Sequence, residues 1–527
     1  MPILLLLLPI AAQAQAPGVY AITGATVHPA NGPDIVNGTV LIRDGLIEAV
    51  GANVAIPPDA AVIDAKGAHV YPGLIDAQTS LGFPSARPQT RRRGGGGQRG
   101  AQQEQLPETS PAYIAMRNVN LTDDDIDAAR GIGVTTIVTA PAFGIFNGQS
   151  AVLNLGTGTA EERVIKSPAA MQISFNPRPA WTFPDSLMGV IAYIRQTMLD
   201  AQWYSSARAV YDKNPTVGPR PETSESLEAM QPVIAKNLPV VFVADGELMI
   251  RRAQKIASEF GLRYIISGGR QGYRFADDLK AANVPVLVSV KWPIAPTSKE
   301  DREEQPLRVI RDRQLAPTTP SVFVKSGVTF ALVSGAGKTG DFIPGIRKAM
   351  DNGLSADDAL KATTIWPARI FGVDRQLGSL EHGKIANVVV SDKPIFDKEA
   401  KITREFVDGR EVRLPSPDKK AGESAPSAVD GTWRLTVRSS QGDVAVTVTL
   451  HNENGALTGT FSGDKGSGDI RNGSFDGTTV EFTVAVKGQS ETESSDWVFH
   501  GTLDGTSMSG SVTTSLGTVQ FTGSKGR

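Results

Sequence analysis

The sequence predicts a (β/α) barrel of the TIM type, flanked by a β-sandwich and followed by a separate all-β module. Three observations lead to this prediction. Short apolar strands alternate with helical patterns through the middle of the chain, strand and hairpin signals lie on both sides of that region, and the last hundred or so residues are rich in Gly, Thr, Ser and Val. With 527 residues, the chain is also too long for one ordinary core.

The first predicted domain is built from short strands. Val19–Ile22 and Gly38–Ile42 have the branched side chains and the length of strands. Asp44 and Gly45 then form a hairpin signal, because glycine tolerates the positive φ that such turns require. A return strand is expected over Ile47–Gly51.

The central region alternates between the two kinds of element. Glu247–Phe260 carries apolar residues at helical spacing, and Gly261 is expected to cap that helix at its C-terminus. The strands expected around it are Gly133–Val138, Pro239–Val243, Arg263–Ser267, Val284–Val290 and Gly327–Val333. Repeated strand–helix units are typical of a parallel barrel.

The predicted domains follow from these patterns. A strand at Ala386–Val390 is expected to rejoin the N-terminal sheet, and the last module has turn signals at Asn454-Gly455, Asp476-Gly477 and Asp504-Gly505. The predicted boundaries are a signal peptide at 1–14, a composite β-sandwich at 19–71 and 373–414, a barrel at 72–372, a linker at 415–429 and an all-β barrel or sandwich at 430–527.

Composition restricts the function. The net charge of −2 argues against a general role on nucleic acid or on a membrane surface. The absence of cysteine excludes disulfides, thiolate nucleophiles and cysteine-based metal sites. No segment is long and apolar enough for a membrane-spanning helix.

The N-terminus predicts export. Ile3–Ile10 has the length of a signal-peptide core, and Ala12-Gln13-Ala14 supplies small residues for cleavage before Gln15. The alternative is a buried strand. We expect the mature protein outside the cytoplasm, in a bacterial periplasm or outside the cell.

Two glycine-rich segments are expected at the barrel mouth. Arg87–Gln105 is a low-complexity insertion after the first barrel strand, which is either a solvated loop or a basic arm for an acidic partner. Ser334–Gly340 ends like a phosphate loop but has Leu332 where such a loop needs glycine. It is therefore either a flexible loop or an anion site made of backbone N–H groups.

Three motifs resemble the amidohydrolase superfamily, in particular its imidazolonepropionase-like branch. Pro72–Ser80, in the sequence PGLIDAQTS, is similar to a first-strand signature of that superfamily, and Asn147–Val152 is similar to a second element. Ala362–Gly372 and Leu377–Asn387 resemble its C-terminal signature. The resemblance covers Val19 to Leu414 and implies a metal-dependent hydrolase barrel with a composite β-sandwich like that of urease alpha chains.

The resemblance also implies a chemistry that these residues lack. Relatives hydrolyse non-peptide C–N bonds in cyclic amides or small peptide derivatives, with zinc or another divalent metal that lowers the pKa of a bound water. There is no histidine between His69 and His382. The family's ligand positions fall on Gln78, Ser80, Phe175, Val243, Ser267 and Gly335. No metal or other cofactor is therefore predicted.

Other polar residues near strand ends remain candidates. Asp76, Asp245, Lys291 and Lys338 are expected at the mouth, either as an ion-pair cluster in a vacated metal site or as a Lys–Asp acid–base pair. The histidines are expected to be exposed polar residues. In the C-terminal module, Gly431-Thr432-Trp433 is similar to the start of lipocalin-like barrels, which leaves open a small ligand or a purely structural role.

Two hypotheses follow from the sequence. The first is a non-catalytic binding protein or partner subunit, in a homo-oligomer or paired with an active relative, with a small-molecule ligand possible. The second is an active hydrolase of cyclic amides or small peptide derivatives with a rebuilt site.

Overall fold

In a computed structural model, the chain forms two compact units, Met1–Pro415 and Ser416–Arg527. The residues that the structure describes are 18–83, 109–178, 182–216, 218–296, 302, 304–335, 339–414, 429–439, 442–453, 456–463, 466–475, 479–487, 494–514 and 517–526. Within these ranges, no helix combines the length and apolar character that crossing a bilayer requires.

The two ends of the first unit share one eight-stranded sheet. Its order is β18-β17-β16-β5-β1-β2-β3, with β4 paired to β1. The sheet surrounds its own core, in which Ile22, Val40 and Phe406 are fully buried. Its strands are Val19–Val27 (β1), Ile35–Arg43 (β2), Leu46–Gly51 (β3), Ala61–Asp64 (β4), His69–Pro72 (β5), Val388–Ser391 (β16), Ile402–Val407 (β17) and Arg410–Val412 (β18).

The barrel of the first unit has eight strand positions, and its fold class agrees with the sequence prediction. The strands are Leu74–Thr79 (β6), Val134–Thr139 (β7), Phe146–Gln149 (β8), Ala151–Asn154 (β9), Val164–Lys166 (β10), Met171–Ser174 (β11), Val240–Ala244 (β12), Tyr264–Gly268 (β13), Val286–Ser289 (β14) and Phe330–Val333 (β15). Strands β8 and β9 together occupy the third position, and β10 pairs outside the ring with β9.

One strand position departs from the parallel arrangement. Strand β9 runs antiparallel to β7, and β8 runs antiparallel to β11, whereas the other paired ring strands are parallel. The chain can change direction here because two glycines adopt positive φ. Gly144, just before β8, has φ of 90°, and Gly148, within β8, has φ of 94°. Glycine at these positions also lets the loop approach Thr109 and Tyr113 closely.

The helices lie around the ring, apart from the last one, which lies across its lower end. They are Ala115–Asn118 (α1), Asp123–Arg130 (α2), Leu187–Lys213 (α3), Glu225–Ile234 (α4), Glu247–Phe260 (α5), Ala276–Ala281 (α6), Leu307–Leu315 (α7), Thr319–Ser326 (α8), Phe342–Met350 (α9), Ala356–Ala362 (α10) and Ile365–Phe371 (α11), with 3₁₀ turns at Gly272–Arg274, Ala316–Thr318 and Thr339–Asp341. Helix α5 has the bounds that its sequence indicates. Gly261 ends it with φ of 61°, in the left-handed conformation.

Alternation along the strands separates two apolar layers. Outward residues such as Phe242 and Phe330 pack on the helices. Inward residues such as Val241, Ile265 and Leu287 fill the lower part of the ring, where Phe371 of α11 closes the barrel from below. The strand ends above this core are therefore the open face, as in other (β/α) barrels.

The second unit is a closed eight-stranded antiparallel barrel, so the alternative of a sandwich is excluded. Each strand pairs with the next, and the first pairs with the last. The strands are Gly431–Ser439 (β19), Gly442–Glu453 (β20), Ala456–Gly463 (β21), Gly466–Phe475 (β22), Thr479–Lys487 (β23), Ser494–Asp504 (β24), Ser507–Thr514 (β25) and Gly517–Lys525 (β26).

Side chains fill the interior of this small barrel. Phe482, Phe499 and Phe521 are buried and in mutual ring contact, with centroids 4.7 and 5.4 Å apart. Trp433 is also fully buried, and its indole N–H donates to the Val429 carbonyl at 2.7 Å. The interior is therefore an apolar core, which favours the structural alternative for this module.

Several sequence predictions lie outside the described residues: the signal peptide, the Arg87–Gln105 insertion, most of the linker, Lys338, and the Asn454-Gly455 and Asp476-Gly477 turns. The Asp44-Gly45 hairpin is confirmed between β2 and β3, with φ of 51° and 84°. His28 and His69 are not exposed as expected. They are half-buried, stack with Tyr71, and lie 3.0 Å apart between ring nitrogens.

Removal of the Phe482 ring tests whether the aromatic core holds the C-terminal barrel together. We expect Phe482→Ala to lower the unfolding free energy of this unit by about 3–5 kcal/mol, because it deletes a fully buried ring from a close-packed stack. Thr460→Ala, on an exposed position of β21, is the control and should change it by less than about 0.5 kcal/mol. Hydrogen exchange of β19–β26 peptides in the whole chain measures both; equal effects would contradict the assignment.

Candidate functional site

The open ends of the barrel strands collect most of the residues that the sequence singles out. Asp76 lies in β6, Asp245 follows β12, and Lys291 follows β14. Because parallel strands end at the same edge, these residues share the mouth of the barrel. Their hydrogen-bond partners, however, divide these residues into two groups.

Asp76 joins the first strand of the ring to the last. It is 6% exposed and accepts hydrogen bonds from the backbone N–H of Ser334, at 3.0 Å, and from the Ser334 hydroxyl. Beside it, the N–H of Gly335 donates to the Gln78 carbonyl at 3.0 Å. Burial raises the pKa of Asp76 to about 6, although the bonds from Ser334 oppose the shift. Asp76 therefore helps to close the ring between β6 and β15. We call this set of contacts between the first and last strands the seam of the ring.

Asp245 and Arg270 form a bidentate ion pair on the other side of the mouth. Arg270 Nη2 and Nε donate to the two carboxylate oxygens at 2.7 and 3.2 Å. Its Nη1 donates to the Lys291 carbonyl at 2.9 Å, so one guanidinium joins the loops after β12, β13 and β14. The side chains are 49% exposed for Asp245 and 27% for Arg270, which makes this a rim contact of small net energy.

Glycine makes this ion pair possible. A side chain on Gly268 would place its Cβ 2.4 Å from an Asp245 oxygen, and Gly268 and Gly269 adopt positive φ of 109° and 54°. The turn after β13 therefore passes directly against Asp245. It brings Arg270 into reach of the carboxylate.

The loop after β13 is fixed further along by Asp312 of α7. Asp312 accepts from Gln271 at 2.6 Å, from the Tyr273 hydroxyl at 2.6 Å and from Arg274 at 2.6 Å. These donors outweigh partial burial and lower the pKa of Asp312. Arg270 is thus held by a rigid loop.

The two lysine candidates contribute differently. The Lys291 backbone carbonyl receives Arg270, while its side chain is exposed at the rim. Lys338 lies outside the described residues. The structure brings Asp245 and Lys291 together through Arg270, but Asp76 lies apart, bonded to Ser334.

Four of the predicted ligand positions lie at the strand ends without forming a charged cluster. Gln78 lies near the end of β6 and Ser80 directly follows that strand. Val243 is 38% exposed near the end of β12, and Ser267 of β13 is 4% exposed. These side chains offer an amide, two hydroxyls and an isopropyl group, none of which is a carboxylate or an imidazole.

The two remaining positions also lack a metal-binding group. Gly335 has φ of 65°, and a Cβ there would lie 2.9 Å from the Ser289 hydroxyl, so an aspartate side chain does not fit without movement. Phe175 lies on the outer layer, where its ring is 5.9 Å from Phe242. Phe175 directly follows β11, whose inward residues are Gln172 and Ser174.

Unpaired amide groups lie inside the ring. Gln172 is 1% exposed, and neither its Oε1 nor its Nε2 has a hydrogen-bond partner among the residues that the structure describes. The same is true of the buried Oε1 of Gln78. A buried polar atom without a partner costs about 1–3 kcal/mol. Bound water or the polar atoms of a ligand would remove this cost.

The donor set does not fit a divalent metal. Among the residues that the structure describes, no three His, Asp or Glu side chains come together as a metal site. Zinc requires imidazole, thiolate or carboxylate ligands at a shared point. The barrel interior offers amides and hydroxyls instead.

Comparisons with known proteins agree with this fold. Residues 316–414 match the amidohydrolase family. The chain is 24% identical to an imidazolonepropionase of Symbiobacterium thermophilum over 417 residues, which cover 68% of this chain and 85% of that one. It is 43% identical to a dihydroorotase of Anaeromyxobacter dehalogenans over 61 residues, 12% of this chain and 14% of that one.

A solved structure extends the likeness to the first unit. An amidohydrolase from Thermotoga maritima aligns with a TM-score of 0.64 and 26% identity, over 75% of this chain and the whole of that chain. The fold is that of a metal-dependent hydrolase barrel with its flanking β domain. The chain belongs to the amidohydrolase superfamily.

Three residues that shape the mouth were not predicted from the sequence. Ser334 is the partner of Asp76, Arg270 is the partner of Asp245, and Gln172 is the buried amide. Gly268-Gly269 before Arg270 was a usable signal, since paired glycines after a strand indicate a tight turn at the mouth. No local signal indicated Ser334 or Gln172, because their surroundings come from distant strands.

Titration of Asp76 should make stability depend on pH. Its folded pKa of about 6 exceeds the ordinary aspartate value of 3.8, so this group favours the fold below pH 4 and that contribution is lost as pH rises through 6. Asp76→Asn does not titrate. Its unfolding free energy, relative to the unmodified chain, should therefore rise by roughly 3 kcal/mol between pH 4 and pH 8.

Denaturant unfolding at several pH values measures this difference. Asp357→Asn, which removes an exposed carboxyl group from α10, is the control for loss of one charge. A difference between Asp76→Asn and the unmodified chain that stays constant with pH would contradict the raised pKa.

Proposed function

We propose that this chain is a metal-independent member of the superfamily that acts by binding, as a ligand-binding protein or a non-catalytic partner subunit. The observation that carries the proposal is the residue set at the family's ligand positions, which are Gln78, Ser80, Phe175, Val243, Ser267 and Gly335. Hydrolysis in the family relies on a metal-activated water, and these side chains offer no such site.

The character of the mouth supports binding of a neutral polar group. Gln172 and Gln78 present unpaired amide atoms inside the ring, and Ser174, Ser267 and Ser289 add hydroxyls from the neighbouring strands. Such groups both donate and accept hydrogen bonds. The ligand class that matches them is a small molecule with amide or hydroxyl groups.

One observation favours the alternative, an active hydrolase of cyclic amides or small peptide derivatives with a rebuilt site. The pKa of Asp76 is raised to about 6, and perturbed carboxyl groups are common at active sites. Against this, Asp76 is engaged by Ser334 and Asp245 by Arg270. A general acid–base pair requires that both carboxylates face the same reacting atom. Asp76 and Asp245 are instead bonded to separate local partners.

Metal content and activity separate the two functions. The full chain, produced with zinc and manganese in the medium, should contain far less than one metal ion per chain by elemental analysis. It should also leave a panel of cyclic amides and N-acyl amino acids unhydrolysed. Stoichiometric metal would defeat the proposal. Metal-free turnover that is lost in Asp76→Asn or Asp245→Ala would establish the rebuilt enzyme instead.

Restoration of imidazoles tests whether the ligand positions converge. We expect Gln78→His combined with Ser80→His and Ser267→His to bind zinc more tightly than the unmodified chain in a competition assay, because three imidazoles at strand ends recreate a nitrogen ligand set. A triple replacement at exposed Thr432, Thr458 and Thr460 of the C-terminal barrel is the control. Equal affinity in both variants would contradict the proposed positions.

The choice between the two binding roles depends on the partner. A partner subunit should retain a histidine-containing relative during purification from its native source. A ligand-binding protein should purify without one and carry a bound small molecule, detectable by mass spectrometry after denaturation.

We further propose that the protein is exported, to a bacterial periplasm or the extracellular space. Ile3–Ile10 and the following Ala12-Gln13-Ala14 support cleavage before Gln15. Mass spectrometry of the mature protein from the native source should find Gln15 as the first residue, and an N-terminus at Met1 would contradict export by this route.

A further inference from the structure

The outer face of α3 is apolar although it does not face the core. The inner face of this 27-residue helix buries Val190, Ile194 and Met198 against the barrel. On the outer face, Met188 is 81% exposed, Leu199 51%, Trp203 63% and Val210 56%. Scattered exposed apolar residues are ordinary, but a row along one helix indicates an interaction surface.

The residues of this row are spaced symmetrically about Leu199. Arg195 and Trp203 lie four positions on either side of it, Ala192 and Ser206 seven, and Met188 and Val210 eleven. At 100° per residue, these positions form one narrow stripe along the helix. We call Met188, Ala192, Arg195, Leu199, Trp203, Ser206 and Val210 the outer stripe.

Oppositely charged residues continue the symmetry beyond the outer stripe. Asp185, which directly precedes the N-cap Ser186 of α3, and Lys213, the last residue of the helix, lie fourteen positions on either side of Leu199, and both are exposed. When the helix is placed antiparallel to its own copy, each of these residues meets the opposite charge. The arrangement is therefore complementary to itself.

A groove lies beside one half of the outer stripe. It has a volume of about 760 Å³ and is lined by Met188, Ile191, Ala192, Arg195 and Leu199 of α3, together with Arg252 of α5. It runs along the N-terminal half of the helix. The protruding residues Trp203 and Val210 lie on the C-terminal half, outside the groove.

We propose that α3 is the interface between two copies of this chain, packed antiparallel about a two-fold axis through Leu199. Such an axis brings the C-terminal half of each helix against the N-terminal half of the other, as an isologous contact requires. Trp203 and Val210 of the partner subunit then enter the groove. The contact occurs twice, once on each side of the axis.

In this pairing, each residue of the outer stripe meets a chemically compatible residue of the partner subunit. Leu199 meets its own copy on the axis, and Met188 meets Val210 of the partner subunit. The small residues Ala192 and Ser206 oppose each other and permit close approach of the helices. Asp185 opposes Lys213 of the partner subunit, which gives one ion pair at each end.

An ion pair within the chain fixes the side chain of Arg195, which faces an aromatic ring in the proposed dimer. Its Nε donates to Glu259 of α5 at 2.8 Å, which holds the guanidinium beside the groove, and its side chain is still 34% exposed. Across the axis it faces Trp203 of the partner subunit. An arginine over an indole ring is a favourable cation–π contact.

Single cysteines test the axis directly, because the chain contains no other cysteine. We expect Leu199→Cys to form a disulfide-linked dimer in the full chain under mild oxidation, since position 199 meets itself. Val210→Cys is the matched control. It is exposed on the same stripe but lies 22 residues from its own copy along the antiparallel pair, about 33 Å, and should remain uncrosslinked. Equal crosslinking of both variants, or none in Leu199→Cys, would overturn the proposal.

Charge reversal tests the register without disturbing the apolar residues. Asp185→Lys and Lys213→Asp should each weaken the dimer by about tenfold in analytical ultracentrifugation, because each places like charges at both ends. The double variant restores both pairs and should return the dissociation constant to within about threefold of the original. A double variant as weak as the singles would overturn the antiparallel register.

The native association state decides between a second copy and other occupants of the outer stripe. Light scattering of the unmodified full chain should give a dimer mass at micromolar concentration. A monomer would overturn the proposal, whether the stripe is then covered by another segment of the chain or binds to lipid vesicles. These outcomes are independent of metal content and hydrolysis, so the proposed function stands or fails separately.

Discussion

The bond between Asp76 and Ser334 closes the ring on which the whole first unit depends. It joins β6 to β15, strands that lie more than 250 residues apart in the chain, and the adjacent Gly335 to Gln78 bond continues the seam. A barrel without this contact would leave two unpaired edges. The carboxylate is buried to make these bonds, and the same burial raises its pKa. Burial of the Asp76 carboxyl group at the point where the ring closes is therefore also the cause of its raised pKa.

The seam also determines what the mouth can do. Asp76 accepts hydrogen bonds from Ser334, and Asp245 is paired with the positive charge of Arg270, so the two carboxylates described near the opening already have local partners. The remaining inward groups are amides, hydroxyls and aliphatic side chains. A surface of this kind can recognise polar molecules through hydrogen bonds but has no group that activates water as a bound metal does. The proposed binding role rests on this chemistry.

Much of the fold was predictable because its signals are local. The Asp44-Gly45 turn, the α5 helix with its Gly261 cap and the regular spacing of apolar strands each depend on a few neighbouring residues. The reversed third strand was not predictable, because β8 and β9 are only four residues long each and no local pattern of residues indicates the direction in which a strand runs. Phe175 shows the same limit. It directly follows β11, and the face that it occupies depends on the register of β11 with β12, which the local pattern does not specify.

The sequence by itself determined the superfamily, the fold class and the absence of histidine between His69 and His382, since these are properties of composition and of motifs along the chain. Only the tertiary structure decided which charges meet. Arg270 reaches Asp245 because two glycines turn the chain against it, and Ser334 reaches Asp76 because the ring closes there. Contacts of this kind depend on the distances between remote strand ends, which no local pattern of residues encodes.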